Sequence, residues 1–183
     1  MFLWIGCKLP EAYEQEIRSH CLQQNQKIGL DTVAFSLPQH ISLKISFETN
    51  RTEQIAADLT AFFSQQKPFS VQIRDAARMG NILWLTVEEN STLQQLHRDL
   101  DAQLENRFGI GQHPFDRAFQ FHSTLFIDQD QEKLGKMTAS IADYPFTRTL
   151  EVDTILLGTS ETGRAGSYRV IRQIKLSSFS RAE

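Results

Sequence analysis

The segment QHISLKISF, residues 39–47, predicts a β-strand with one apolar face and one polar face. Successive side chains of a strand point to opposite faces. The apolar face suits a hydrophobic core and holds Ile41, Leu43, Ile45 and Phe47. The polar face carries His40, Ser42, Lys44 and Ser46. A histidine and a hydroxyl therefore stand about 6–7 Å apart along one face, where both can reach the same ligand.

A second segment, FQFHSTLFID (119–128), predicts another strand and repeats this chemistry. HSTL at 122–125 and HISL at 40–43 both read His-x-Ser/Thr-Leu, 82 positions apart. Because imidazole titrates near neutrality, one ring can act as a base while the other, protonated, acts as an acid. Two such strands facing one cleft would surround an anion. The repeat predicts acid–base catalysis by His40 and His122, with Ser42 and Thr124 donating hydrogen bonds to a phosphate.

Patterning along the rest of the chain predicts an α+β fold made of two similar halves. The long helix has leucines at helical spacing and a C-capping Gly109, and the polar neighbours of His97 predict a solvated histidine within it. Predicted strands cover 2–7, 39–47, 69–79, 81–89, 119–128, about 145–158 and 167–176, and predicted helices cover 10–27, 50–66, 91–109 and 130–141. No linker rich in Pro or Gly separates the halves, which predicts a single domain over residues 1–183.

Composition and charge limit the possible classes of protein. The 183 residues are 40% hydrophobic and 22% charged, typical of a globular chain. A net charge of −3 argues against a protein that coats DNA or other nucleic acid by charge alone. Cys7 and Cys21 are too few for a disulfide framework, so we expect core thiols and a reducing, cytoplasmic location. The start, MFLWIGCKLPEAYEQ, resembles neither a signal peptide nor a membrane span. For the oligomeric state, we expect a monomer.

The C-terminal part is locally basic. Between Gly163 and Arg181 there are five basic residues and no acidic ones: Arg164, Arg169, Arg172, Lys175 and Arg181. A local anionic site and a solvated sheet face both explain this run. Strand alternation predicts that Tyr168 and Arg172 share a face, where they could stack on a base and bind a phosphate. A core tyrosine with an incidental arginine fits the same pattern.

The paired motifs resemble the HxTx motifs of the two-histidine (2H) phosphoesterase superfamily, in its bacterial 2′-5′ RNA ligase-like and cyclic phosphodiesterase branch. The resemblance spans most of the chain, through FLWIGCKLPEAYEQEI, LPQHISLKISF, NILWLTVEENSTLQQLHRDL, FHSTLFI and GSYRVIRQIKL. It implies two pseudo-symmetric lobes of antiparallel sheet with flanking helices, around a central cleft lined by His40, Ser42, His122 and Thr124. Two departures occur: Ser42 replaces the frequent Thr, and FID follows the second motif where a basic residue is common.

The resemblance implies an enzyme that hydrolyses 2′,3′-cyclic phosphates of nucleotides or RNA ends, or a related 2′-5′ diester, without a metal or cofactor. The motif strands themselves lack a carboxylate or third histidine at ligand spacing. Two other classes remain open: a non-catalytic module that binds a nucleotide or RNA end in the same cleft, and an interaction protein with coincidental motifs. The natural substrate, the direction of hydrolysis or ligation, and the acid and base assignments also remain open.

Overall fold

Two four-stranded antiparallel sheets form the scaffold in the computed structural model, which describes residues 1–114 and 119–177. The strands are β1 (Phe2–Lys8), β2 (His40–Glu48), β3 (Phe69–Met79), β4 (Ile82–Val87), β5 (His122–Ile127), β6 (Arg148–Val152), β7 (Thr154–Ser160) and β8 (Arg169–Lys175). The helices are α1 (Glu11–Asn25), α2 (Thr52–Phe63), α3 (Ser91–Phe108) and α4 (Gln131–Ser140). The predicted α+β class, with two lobes of antiparallel sheet and flanking helices, is confirmed.

The two sheets have matching strand orders, β2-β1-β7-β8 in one lobe and β5-β4-β3-β6 in the other. In each sheet the histidine-bearing strand lies at an edge, beside an inner strand that carries a tryptophan. The stretch predicted as strand around 145–158 contains β6 and β7, which belong to different sheets and are separated only by Asp153. The chain thus passes from one lobe to the other at a single residue.

The helices cross between the lobes, so the lobes are not the two halves of the sequence. Helix α1 follows β1 but packs on the other lobe, where Tyr13 Oη donates to the carbonyl of Phe146 at 2.8 Å. Helix α3 follows β4 but joins α2 through a 2.8 Å ion pair between Arg107 and Asp58. Apolar side chains under both sheets are buried, including Cys7 and Cys21 as predicted. No helix within the described residues is both long and apolar enough to cross a membrane.

Matching β-bulges interrupt the two motif strands directly after the hydroxyl residue. Ser42 pairs with Gly6 and Lys44 with Ile5, which leaves Leu43 as the extra residue of β2. In β5, Thr124 pairs with Trp84 and Phe126 with Leu83, which leaves Leu125 as the extra residue. Both bulged leucines are fully buried. The leucine shared by the two motifs is thus explained by a shared backbone irregularity of the kind that often redirects side chains beside a site.

The bulge in β2 corrects the predicted division of its faces. Strict alternation holds from His40 to Leu43, but Lys44 beyond the bulge is only 3% exposed. A second register shift follows between the pairs Ile5–Lys44 and Leu3–Phe47. Ile45, predicted for the core face, consequently lines the cleft next to Ser46. A single extra residue is enough to exchange the faces because side chains alternate with a period of two.

His97 was predicted to be solvated, and this prediction is wrong. The side chain is 6% exposed, with Nδ1 2.6 Å from the carbonyl oxygen of Leu43 and Nε2 3.6 Å from Asp101 Oδ2. Helix α3 packs against β2. Its buried face therefore includes not only the leucines but also His97 and Asp101, which lie next to them on the helix. Gly109 ends the helix with a φ of 66°, which confirms the predicted C-cap.

The buried ion pair beside His97 generates a stability prediction. Lys44 Nζ lies 2.6 Å from Asp101 Oδ1, and both side chains are nearly inaccessible to water. Asp101→Asn removes the negative partner of a buried ammonium, so the free energy of unfolding should fall by about 3 kcal/mol. Urea unfolding at neutral pH measures this loss.

The control is Glu132→Gln, on helix α4. Glu132 pairs with Lys136 at 2.6 Å and both side chains are mostly exposed, so its loss should lower the free energy of unfolding far less than Asp101→Asn does. Equal losses in the two variants would show that the Lys44–Asp101 pair contributes no more than an ordinary surface contact.

Candidate active site

A cleft of about 910 Å³ opens between the two lobes, and both motif strands line it. His40 and Ser42 enter from β2, and His122 and Thr124 enter from β5. The structure thus brings together the four residues that the repeated motif singled out. The volume lies within the range of about 300–1,000 Å³ that is usual for small-molecule sites.

A buried hydrogen bond connects the two motif strands. Ser123, the residue between His122 and Thr124, points away from the cleft, and its Oγ donates to Gln39 Oε1 at 2.9 Å. Gln39 directly precedes His40, and both Ser123 and Gln39 are almost fully buried. The bond therefore joins the two strands at the level of the histidines. Because both residues are buried, water does not compete for this hydrogen bond.

Each histidine ring has the same local hydrogen bond. Nδ1 of His40 lies 2.7 Å from the carbonyl oxygen of Pro38, and Nδ1 of His122 lies 2.7 Å from that of Gln120. Because a carbonyl oxygen can only accept, each Nδ1 carries the hydrogen in the neutral ring. Nε2 therefore keeps its lone pair and, within the described residues, has no hydrogen-bonding partner. Both rings are arranged to accept or deliver a proton at Nε2 in the cleft.

Burial lowers the pKa of both imidazoles from the ordinary value of 6.5. The carbonyl hydrogen bonds of Pro38 and Gln120 oppose this effect in part, since they favour the protonated ring. The positive charge of a protonated His122 lowers the pKa of His40 further. Both pKa values thus lie below 6.5, and neutral rings prevail at pH 7.

A tryptophan stacks on each of these histidines. The ring centroids of Trp4 and His40 are 4.4 Å apart with planes inclined by 31°, and those of Trp84 and His122 are 4.0 Å apart with planes inclined by 37°. Both indoles reach the cleft from the inner strand next to the histidine strand. Neither tryptophan was predicted as a site residue, although each stands in an apolar run typical of a strand.

Tyr168 also lines the cleft, and its Oη donates to Ser46 Oγ at 2.9 Å. The remaining walls are largely apolar. Contributors from the two lobes and from the short 3-10 turn Val33–Ser36 include Val33, Leu37, Ile45, Met79, Ile82, Phe119 and Ile127. Such walls suit the planar face of a base or another apolar group next to a phosphate.

Arg172 does not line the cleft, so the prediction that it shares a face with Tyr168 is wrong. Its guanidinium donates to Thr60 Oγ1 at 3.2 Å and lies 3.5 Å from Glu53, both on helix α2. The reason is a register shift in β8, where Val170 pairs with Gly158 but Arg172 pairs with Leu157. The extra residue turns Arg172 toward the helices.

Arg164 and Arg169, from the rest of the basic C-terminal run, are not among the cleft-lining residues either, although Arg164 lies between two that are, Gly163 and Ala165. Lys175 pairs with Asp153 at 2.8 Å, on the far part of β8, and Arg181 lies outside the described residues. A survey of residues 1–114 and 119–177 finds no group of three or more His, Cys, Asp or Glu side chains placed to hold a metal ion. The chemical groups at the centre of the cleft are thus the two imidazoles and the two hydroxyls.

Comparisons with known proteins agree with this architecture. A model of the 2′-5′ RNA ligase superfamily matches residues 12–164. The fold is similar to crystal structures of TT0787 of Thermus thermophilus (18% identity, 96% of this chain and 98% of that chain, TM-score 0.63) and of E. coli LigT complexed with 3′-AMP (21%, 96% and 97%, 0.63). It is also similar to Kluyveromyces marxianus Usb1 (11%, 96% and 98%, 0.52). No curated protein matches the chain by sequence.

The packing of Trp4 on Gly158 generates a second prediction. A Cβ at Gly158 would overlap the Trp4 indole, so Gly158→Ala should lower the free energy of unfolding by about 1–3 kcal/mol through overpacking. It should also move the indole and shift the ring resonances of His40. Urea unfolding and NMR spectra of the histidine rings measure the two effects.

Gly135→Ala, in helix α4, is the control. A Cβ there would meet Arg78 at an ordinary 3.5 Å, and alanine favours a helix over glycine by up to about 1 kcal/mol. If Gly158→Ala is as stable as Gly135→Ala and leaves the His40 resonances unchanged, then the Trp4 indole does not require a glycine at position 158.

Proposed function

The chain belongs to the 2′-5′ RNA ligase superfamily, whose members include phosphoesterases and ligases, and we propose that it hydrolyses 2′,3′-cyclic phosphates of nucleotides or RNA ends without a metal ion. The observation that carries the proposal is the matched pair of imidazoles in one cleft, each bonded at Nδ1 to a backbone carbonyl and open at Nε2. A base and an acid are the two groups that this reaction requires.

In the proposed reaction, Nε2 of the neutral histidine takes a proton from water while the water oxygen forms a bond to phosphorus. The bond from phosphorus to one ribose oxygen breaks, and the second histidine, which starts protonated, delivers its proton to that oxygen. The product is a 2′- or 3′-phosphate monoester with a free neighbouring hydroxyl. The two rings exchange protonation states, so a proton must return to the acid before the next turnover.

The two hydroxyls complete the proposed phosphate site. Ser42 and Thr124 each stand two residues beyond a histidine on the cleft face of the strand. Their hydroxyls would donate to the non-bridging oxygens, where negative charge develops during attack. Tyr168 and the apolar walls would contact the base or ribose. Structures of E. coli LigT complexed with 3′-AMP, ATP and NADP+ support a nucleotide as the ligand class.

The same site would also catalyse transfer to a 5′-hydroxyl in place of water. The 5′-oxygen forms a bond to phosphorus while its proton passes to the neutral histidine, and the 3′-oxygen leaves with the proton of the other histidine, which gives a 2′-5′ linkage. Water is always present at high concentration, which favours hydrolysis for a small cyclic nucleotide. A binding module without catalysis is the other candidate, but binding alone does not require two imidazoles with the same tautomer and matched hydroxyls.

Replacement of either histidine should greatly reduce turnover. With nucleoside 2′,3′-cyclic phosphates in excess EDTA, His40→Ala and His122→Ala should each lower kcat by a factor of about 10²–10⁴, because each removes one proton transfer. Product analysis by phosphorus NMR or chromatography would also identify the ribose oxygen that leaves. His113→Ala, at an exposed histidine outside the cleft residues, should leave kcat unchanged.

The outcomes separate the candidate functions. Nucleotide binding without turnover of any cyclic phosphate or 2′-5′ dinucleotide would favour the binding module. Turnover close to the wild-type rate in both histidine variants would refute the acid–base pair.

The dependence of the rate on pH gives a further prediction. One ring must be protonated and the other neutral, and burial lowers the pKa of both. The plot of kcat/KM against pH should therefore be bell-shaped with its maximum on the acidic side of 6.5. A maximum above pH 7 would show that the free protein holds an imidazole with a raised pKa, contrary to the burial of the two rings.

A further inference from the structure

We infer that Trp4 and Trp84 are positioning residues of the proposed active site, each holding the plane of one histidine ring and stabilising its imidazolium form. The inference rests on the proposed function, in which each ring carries a positive charge during part of the cycle. The indoles touch the histidines rather than the reacting atoms. Their role would be to support the acid and the base, not to contact the phosphate.

Both stacks have the geometry of a cation–π contact. An indole face is the strongest aromatic partner for a cation within about 6 Å of the ring centroid. The centroid separations here are 4.4 Å for Trp4 and His40 and 4.0 Å for Trp84 and His122. A ring clamped between an indole face and a carbonyl hydrogen bond at Nδ1 has little freedom to rotate, so Nε2 keeps its direction.

The two tryptophans occupy different positions in the internal repeat. Trp84 pairs directly with Thr124, whereas the residue that pairs with Ser42 is Gly6. Trp4 is two residues before Gly6 and leans across it, since a Cβ at Gly6 would lie 2.8 Å from His40 Cδ2 and 3.0 Å from the Trp4 ring. A simple duplication of one lobe would not create both stacks. Two different solutions to the same contact point to a requirement for the contact itself.

The position of Trp4 is unfavourable for stability. Its Nε1 is buried without an acceptor among the described residues, and an unsatisfied buried donor lowers stability. Its ring also excludes any side chain at Gly158. A phenylalanine would avoid the unsatisfied N–H and still fill apolar space. Compared with phenylalanine, tryptophan places a larger and more polarisable aromatic face on His40.

No carboxylate supports the imidazolium form of either ring in the described part of the cleft. The other titratable side chains that line it are Lys44, whose ammonium is paired with Asp101, and the phenol of Tyr168. Nδ1 of each ring meets only a neutral carbonyl. Besides the two carbonyls, the indole faces are therefore the neighbouring groups that favour a positive charge on the histidine rings.

The test compares Leu and Phe at both tryptophans. Histidine pKa values are measured by NMR titration of the ligand-free protein, with His40→Ala and His122→Ala used for assignment. Trp4→Leu should lower the pKa of His40 by about half a unit, and Trp84→Leu should do the same for His122, because the cation–π contact is lost. The Phe variants should show smaller shifts. For turnover, the Leu variants should lose about tenfold in kcat while KM changes less than threefold.

Phe62→Leu, on helix α2 away from the cleft, is the matched aromatic control and should change neither pKa nor kcat. A raised or unchanged histidine pKa in the Leu variants would overturn the inference, because it would mean that the indoles only exclude water. If a Leu variant fails to fold, the histidine pKa in the corresponding Phe variant is used instead, and it should also be lowered. Shifts in the expected direction in a protein that turns over no phosphodiester would support the stacks and refute the proposed function instead.

Discussion

The arrangement of the candidate site depends on the contact between the edge strands β2 and β5. The buried bond from Ser123 to Gln39 fixes these strands beside each other, and the bulges at Leu43 and Leu125 anchor each strand in its own lobe. Edge strands have unpaired backbone groups and ordinarily require protection. Here the two edges meet at the cleft, so one edge strand of each sheet becomes a wall of the site. Any relative movement of the lobes changes the separation of the histidines.

The electrostatic character of the site follows from its burial. Two imidazoles, two hydroxyls and largely apolar walls line a cleft in which neither histidine has a carboxylate partner among the described residues. Such an environment favours neutral rings before a ligand binds. An anionic ligand would reverse this preference, since its negative charge raises the pKa of nearby imidazoles. Binding and protonation are then coupled, and the ligand helps to create the acid that its own cleavage requires.

The ionic cluster between β2 and α3, of which Lys44 borders the cleft, has a different role from the histidines and hydroxyls. Lys44, Asp101 and His97 connect helix α3 to the motif strand just beyond Ser42. Buried ionic groups of this kind contribute more to a specific arrangement than to net stability, because desolvation offsets much of the attraction. Their position beside the bulge at Leu43 links the packing of α3 to the direction of Ser42. The helix thus supports the site without reaching it.

The sequence alone determined the secondary structure, the two-lobed α+β class and the pairing of His40 and Ser42 with His122 and Thr124, because those features follow from local periodicity and from a repeated motif. Tertiary structure decided the rest. The side chain of Arg172 turned away because of one extra residue in β8, and His97 became buried because α3 packs on β2. The Trp–His stacks also required the fold. Bulges and contacts between strands depend on partners distant in sequence, and alternation within a single strand cannot reveal them.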